Sequence, residues 1–270
     1  MEGTKRIYIT RFNATSFSQK EDVLIEETPL QILLVHGPEH ERKTETLSVT
    51  MRTPGDDEHL VAGFLFGEGI ITKASDIASL KHTDENTLIA ALAPHVVFDT
   101  VTQKRNFVTS SACGYCGKAV IAVPGQSQNA AGNDFRLHTA VLKKMLPQLN
   151  NAQSLFATTG GAHAVALFTS NGTLLHISED VGRHNAMDKL VGAMLQQHVL
   201  PLSHHIVLFS GRLGYELVQK AVAAGIPAIV SIGAPTSLAI AIAKENSIAV
   251  IGFMKETGFN VYNRIEEIIG

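Results

Sequence analysis

Tryptophan is absent from the 270-residue chain, and cysteine occurs only twice. Charge is sparse: Asp, Glu, Lys and Arg make up 17% of the residues, against roughly 25% in average soluble proteins. With 45% of residues apolar, that scarcity excludes a disordered chain, which combines low hydrophobicity with high net charge. Neither sign dominates, because 22 Lys and Arg face 25 Asp and Glu. A formal net charge of −3 supplies no global basic field, which excludes nucleic acid as the main partner. No apolar run reaches the ~18 residues that cross a bilayer, and the opening Met-Glu-Gly-Thr-Lys-Arg lacks a secretory h-region, so no membrane partner and a cytoplasmic location are expected. Two cysteines cannot staple a secreted scaffold; they point to a reducing compartment in which a thiol pair does chemistry or binds metal.

What the chain does have is patterned in two styles. Over the first hundred residues the runs are short. Residues 22–26 and 30–35 read as an antiparallel pair joined at Glu27-Thr28-Pro29, and 46–51 as a further strand. After Thr53-Pro54-Gly55, the spacing of Leu60, Val61, Phe64 and Leu65 predicts a helix over 56–66, stopped by Gly67. This is a small α/β subdomain. Residues 105–110 read as a strand leading to the cysteines, 126–133 as a polar loop, and Asp134 as the cap of a helix carrying Leu137, Val141, Met145 and Leu146. Asn171-Gly172 predicts a hairpin between 164–168 and 174–178.

From residue 183 the style changes to helices alternating with continuous apolar strands. Met187, Leu190, Val191, Met194 and Leu195 stripe one helix; 206–209, 228–232 and 248–253 read as buried strands, with helices over 214–224 and 236–244 between them. Such a β-α-β-α-β run implies parallel strands with right-handed crossovers. Ligands of open parallel sheets bind beyond the carboxyl ends of the strands, where helix N-termini offer amides and a positive dipole end. Three loops fall there, carrying Ser210-Gly211-Arg212, Ala234-Pro235-Thr236-Ser237 and Met254-Lys255. Small residues, hydroxyls and two cations suit a phosphate. In the alternative reading Thr236 and Ser237 are ordinary helix caps and Arg212 is solvated.

Three segments bear chemistry. In Ser111-Ala112-Cys113-Gly114-Tyr115-Cys116-Gly117-Lys118 the thiols stand two residues apart, and Lys118 beside them favours a thiolate. Redox cycling, half of a zinc site, a persulfide-bearing sulfur carrier and a pair of inert buried thiols are all compatible with that spacing. His163, in Thr158-Thr159-Gly160-Gly161-Ala162-His163, is either a zinc ligand or a hydrogen-bonded core histidine; the chain has no His-x-Glu of the kind zinc deaminases use. The polar run Glu179-Asp180-Val181-Gly182-Arg183-His184-Asn185-Ala186-Met187-Asp188-Lys189 can bind a polar heterocycle and its phosphate, and Asp180 can equally cap the next helix and pair with Arg183.

Taken together and in order, these segments resemble the formate dehydrogenase accessory sulfurtransferase (FdhD) family. The resemblance rests on the cysteine segment, Thr-Gly-Gly-Ala-His-Ala, the 179–189 run, Ser-Gly-Arg with Tyr-Glu-Leu-Val-Gln-Lys-Ala, Ala-Pro-Thr-Ser-Leu-Ala, and Gly-Phe followed by Phe-Asn-Val-Tyr. Thr-Pro-Gly-Asp and Gly-Phe-Leu-Phe-Gly-Glu-Gly-Ile-Ile extend it toward the N-terminus, so it covers about 27–262. The resemblance implies a cytoplasmic, homodimeric sulfurtransferase. Such a protein takes sulfur from a cysteine desulfurase and passes it to the molybdenum cofactor, in its bis(molybdopterin guanine dinucleotide) form, before insertion into formate dehydrogenase. A guanine nucleotide would mimic that cofactor. The implied fold is a three-layer α/β/α cytidine deaminase-like domain over residues 105–270 without the zinc machinery, preceded by the smaller α/β subdomain over 1–104.

Cys113 would then carry the persulfide and Cys116 assist it. The segment Phe253, Met254, Lys255, Glu256, Thr257, Gly258 matches the family's cofactor-binding stretch, with Lys255 its one basic residue. Arg183, His184, Asn185, Arg212, Thr236 and Ser237 complete the expected cofactor site, and no metal ligands are assigned. Three rival functions remain: a thiol-disulfide oxidoreductase, a non-catalytic cofactor-binding chaperone and, third, a zinc hydrolase.

Overall fold

The computed structural model describes residues 2–98 and 135–270. Cys113, Cys116 and Lys118, the strand expected over 105–110, the loop expected over 126–133, Asp134 and the subdomain boundary expected at 104/105 lie outside the described residues.

Strands β1 (Thr4–Asn13) and β2 (Ser16–Ile25) form a two-stranded antiparallel ribbon. The chain then builds β3 (Thr28–His36), β4 (Lys43–Arg52), helix α1 (Asp57–Gly67), β5 (Ile77–Asp84) and β6 (Thr87–Leu92), with the four later strands in one sheet ordered β4-β3-β6-β5. The antiparallel pair expected between 22–26 and 30–35 does not form. Asp22 to Ile25 belong to the ribbon, whereas β3 pairs with β4 and, in parallel, with β6. Thr28-Pro29 is therefore the start of a strand, not a turn. Pro29 is tolerated because the ladder to β6 begins only at Gln31, so no bond is lost for want of its N–H.

Leu30, Ile32 and Leu34 of β3 and Leu88, Ala90 and Leu92 of β6 alternate inward to one buried face. Helix α1 lies on that face. Its expected single stripe is broader, since Leu60, Val61, Ala62, Gly63, Leu65 and Phe66 are all buried. A second layer covers its other side.

That layer belongs to a six-stranded sheet ordered β13-β12-β11-β10-β8-β9. Its strands are β8 (His163–Thr169), β9 (Leu174–Asp180), β10 (His205–Phe209), β11 (Ala228–Ser231), β12 (Ala249–Lys255) and β13 (Gly258–Asn263). Strands β10, β11 and β12 are parallel neighbours, as the alternating pattern requires, and β8 and β9 form the hairpin turned at Asn171-Gly172, where Gly172 takes φ +82°. Val165, Leu167, Val207, Phe209, Ile229 and Val250 point to the face shared with α1 and with three helices, α4 (Arg183–Gln196), α5 (Tyr215–Ala223) and α6 (Ser237–Glu245). The alternate residues, among them Phe168, Leu208 and Val230, meet α2 (Thr139–Ala152) on the opposite face.

Helix α2 starts later than its sequence suggested. Leu137 sits in a short strand, β7 (Leu137–His138), paired in parallel with β14 (Ile268–Ile269) near the C-terminus. A partner some 130 residues away overrides the local helical spacing. One further short helix, α3 (Ser154–Thr159), ends at Gly160 in the left-handed conformation.

Helices α1 and α4 join the two halves at very close range. A Cβ added to Gly63 would stand 1.9 Å from the Asp188 carbonyl oxygen, and one added to Gly192 would stand 1.9 Å from that of His59. The protein is thus a mixed α/β structure of several sheets with helices on both faces of the larger one. Among the described residues, no helix is long and apolar enough to cross a membrane.

Candidate functional site

Strand direction concentrates polar residues at one edge of the six-stranded sheet. Strand β8 runs antiparallel to β10, so its first residue, His163, lies beside the carboxyl end of β10; β9 is antiparallel to β8 and ends there at Asp180, opposite His163. Helix α4 starts three residues later with Arg183 and His184. The loops after β10, β11 and β12 reach the same edge.

These loops are tied to one another through backbone. The Ala164 N–H donates to Ser210 Oγ at 2.8 Å, Leu213 N–H to the Ala234 carbonyl at 3.1 Å, and Phe253 N–H to the Gly233 carbonyl at 3.2 Å. Ser231 Oγ donates to the carbonyls of Gly211 and Gly233 at 2.8 and 3.0 Å. A side chain at 233 would not fit, because its Cβ would lie 2.8 Å from the backbone of Arg212. Glycine there lets two loops touch.

Two guanidinium groups, those of Arg183 and Arg212, and the His184 imidazole gather at this edge around His163. Its imidazole is held below the ordinary 6.5, first by burial and then by the charges of Arg183, His184 and Arg212, with Asp180 acting the other way. His163 is thus a neutral ring beside two guanidinium groups at neutral pH. Among the described residues Arg183 Nε is buried without a hydrogen-bond partner, while Arg212 is exposed. His184 Nε2 pairs with Glu216 Oε2 at 2.8 Å, and Tyr215 O–H donates to Glu216 Oε1 at 3.0 Å. The bond to His184 leads in keeping the Glu216 carboxyl below its usual 4.5. Helix α6 adds its N-terminus, capped by Thr236 Oγ1 accepting from Ala239 N–H at 3.2 Å, with Ser237 exposed beside it. The edge can receive an anion: two guanidinium groups, an imidazole held by a carboxylate and a helix N-terminus lie along it.

Other residues expected in a site are placed elsewhere or otherwise engaged. Phe253 is 42% exposed and takes φ +52°, at a register shift between β12 and β13. Met254 is buried in the core on the α2 side. Lys255 pairs with Gly258 across Glu256-Thr257, so the expected loop is the exposed tip of a β-hairpin. Asn185 turns away toward β4: its Nδ2 donates to the Met51 carbonyl at 2.7 Å and to Asp180 Oδ1 at 3.0 Å, and its Oδ1 accepts from Thr50 Oγ1 at 3.3 Å.

Asp180 does not pair with Arg183. Its Oδ2 meets Lys189 Nζ at 2.8 Å and accepts from Thr53 N–H at 3.1 Å, while Oδ1 accepts from Gly182 N–H at 2.8 Å. Lys189 also donates to the Thr53 carbonyl at 2.9 Å. Much of the polar run therefore clamps α4 to the 50–53 strand end, and Glu179 caps α3 by accepting from Leu155 and Phe156 N–H, both at 2.9 Å. Sequence reasoning missed Glu216 and Tyr215. Their signal was available in Gly214-Tyr215-Glu216, the first turn of a helix that follows a parallel strand. Among the described residues, no three His, Cys, Asp or Glu side chains are grouped so as to hold a metal ion.

Comparison with known proteins places the chain among a homogeneous set. A family model described as the FdhD/NarQ family matches residues 25–269. A sulfur carrier protein FdhD of Streptomyces avermitilis is 41% identical over 271 residues, covering 96% of this chain and 93% of that protein. The protein of the same name from Mycolicibacterium paratuberculosis is 39% identical over 99% of this chain and all of its own length. A third protein of that name, from Sulfurisphaera tokodaii, is 37% identical over 98% of this chain and 99% of its own length. A crystal structure described as a formate dehydrogenase accessory protein from Desulfotalea psychrophila shares the fold, with a TM-score of 0.74 at 24% identity, over 98% of this chain and 99% of that one.

Proposed function

The chain belongs to the FdhD/NarQ family, and from that membership we propose that it is a sulfur carrier serving formate dehydrogenase. In this reading a cysteine desulfurase supplies the sulfur, Cys113 carries it as a persulfide with Cys116 assisting, and the recipient is the molybdenum cofactor in its bis(molybdopterin guanine dinucleotide) form. That cofactor is the substrate here. It leaves for formate dehydrogenase after loading.

The loading step balances without an external oxidant. The Cys113 thiolate attacks the outer sulfur of the desulfurase persulfide, the S–S bond breaks, and its electron pair leaves on the desulfurase cysteine as a thiolate. One sulfur has moved and no net electron has been exchanged.

The observation that carries the substrate half of the proposal is the cationic edge, with Arg183, His184 and Arg212 around His163 and Arg183 Nε lacking a partner among the described residues. A nucleotide phosphate would supply the missing acceptor, and the exposed Arg212, between the contacting Gly211 and Gly233 loops, would meet it from the solvent side. In the same reading His163 stays neutral and packs against the 211 loop, where a Cβ on Gly211 would lie 3.1 Å from its Nδ1. The strand-end domain over 105–270 is read as cytidine deaminase-like, the 1–104 part as its accessory subdomain, and the protein as a cytoplasmic homodimer.

Persulfide formation is tested directly by incubating the protein with a cysteine desulfurase and cysteine and weighing it intact. One added sulfur, released by reductant and absent in Cys113→Ala, is expected. Label retained in Cys113→Ala would refute the assignment of the carrier.

A further inference from the structure

The β1–β2 ribbon leaves its bulk in solvent. Residues 10–21 are all exposed, and Tyr8, Phe12 and Phe17 are 80%, 58% and 74% exposed, with the two phenylalanine rings 5.0 Å apart at the tip. Only the base is anchored: a Cβ on Gly161 would stand 2.7 Å from Ile25 Cγ2, so the ribbon end packs on the turn after α3. A two-stranded ribbon with apolar groups on both faces is marginal in water by itself. Exposed aromatics of this kind mark a surface that is covered in the functional assembly.

Charge identifies the cover. The ribbon carries Lys5, Arg6, Arg11 and Lys20 against Glu21 and Asp22, in a chain that is otherwise acidic, and only Arg6 is paired within it, to Glu21 at 3.0 Å. An open cleft of about 850 Å³ lies at the ribbon's root, where Thr4 and Glu26 form part of its wall. Its remaining lining includes Glu2, Asp56, Glu58, Asp84 and Glu85. The one arginine there, Arg52, is buried and spent on a bidentate pair with Asp57 at 2.8 and 2.9 Å. The chain thus holds a cationic aromatic arm and an acidic cleft that complement each other.

The arm cannot fold back into its own cleft, because its paired strands rise from the cleft wall and run on for ten residues each, about 33 Å of extended ribbon. A second copy related by a two-fold axis meets both needs at once: each arm reaches the other's cleft, and the same patch serves on both sides. We propose that two copies of this chain exchange their β1–β2 ribbons, with Arg11, Lys20 and the Phe12–Phe17 tip of one seated in the acidic cleft of the other. This assigns the contact surface within the homodimer reading and is independent of the sulfur chemistry.

The test is sedimentation of the full chain at low salt, with thermal melting and guanine-nucleotide binding measured alongside as reports on folding and on the strand-end site. The wild type is expected to be a dimer. Arg11→Glu/Lys20→Glu and, separately, Glu58→Lys/Glu85→Lys are each expected to raise the dimer dissociation constant about tenfold or more, since like charges then face one another. Phe12→Ser/Phe17→Ser is expected to do the same without changing any charge. The chain carrying all four charge reversals regains the dimer. A monomeric wild type, a dimer indifferent to the ribbon variants, or a four-reversal chain that stays monomeric would each overturn the proposal, whatever the nucleotide and persulfide measurements show.

Discussion

Replacing Lys189 by Met removes the positive member of the ion pair that joins α4 to the 50–53 strand end. The Lys189 and Asp180 side chains are 2% and 0% exposed, and Nζ meets Asp180 Oδ2 at 2.8 Å and the Thr53 carbonyl at 2.9 Å. Methionine keeps most of the volume, so the change isolates the charge. Asp180 would retain its donors from Thr53, Gly182 and Asn185 but lose its counter-ion in the dry interior. Breaking a buried pair from one side costs about 3–5 kcal/mol. Because three hydrogen bonds to the carboxylate survive, a value near the lower end is expected, still a large share of the ~5–15 kcal/mol that holds a domain together. Removing the second charge as well, in Lys189→Met/Asp180→Asn, takes away the uncompensated carboxylate, so the double variant should cost less than the sum of the singles, with a coupling of about 1–3 kcal/mol. Urea unfolding followed by circular dichroism gives all three values. A Lys189→Met variant within about 1 kcal/mol of wild type, or strict additivity in the double, would refute the reasoning.

Three other outcomes follow from the same structure. Gly192→Ala places a Cβ 1.9 Å from the His59 carbonyl oxygen, where contact normally begins near 3.4 Å; α1 and α4 must part, and a loss of about 1–3 kcal/mol is expected in urea unfolding despite the better helix propensity of alanine, a gain in stability contradicting the close crossing. The hydrogen bond to His184 keeps the Glu216 folded value below 4.5, so its contribution is present above pH 4.5 and fades as pH falls through that depressed value. The stability gap between wild type and Glu216→Gln should therefore be widest above pH 4.5 and narrow with acid; a gap that does not change with pH would show that no such linkage exists. Arg183→Ala and Arg212→Ala are each expected to weaken guanine diphosphate binding by calorimetry about tenfold, with a shallower salt dependence than wild type; unchanged affinity in both would remove the strand-end site.

Where local chemistry decided the structure, the sequence was readable. Asn171-Gly172 specified its hairpin, and three continuous apolar runs separated by striped helices specified β10, β11 and β12 as parallel neighbours, which alone pointed to the edge where Arg212 and Thr236 stand. Long-range pairing was not readable. Leu137 fits a helical stripe yet joins β14 through contacts near the other end of the chain, and Thr28-Pro29 carries turn residues yet opens a central strand because β6 arrives only at Gln31. The 179–189 run was legible as polar but not as divided. Arg183 and His184 face the sheet edge, whereas Asp180, Asn185 and Lys189 are consumed by contacts to residues 50–53 that lie far away in sequence. Helical periodicity assigned all of them to one helix start; only the arrival of β4 decides which side of it each one serves.

In the proposed function the cysteines act chemically on a substrate that the strand-end residues hold. It is tested most directly by formate dehydrogenase activity in cells that lack their own sulfur carrier and are supplied with this chain or with its Cys113→Ala/Cys116→Ala form. Active enzyme is expected with the wild type and none with the double variant, although that variant still binds guanine nucleotide. Full activation by the double variant would contradict it and leave a cofactor-binding chaperone in its place.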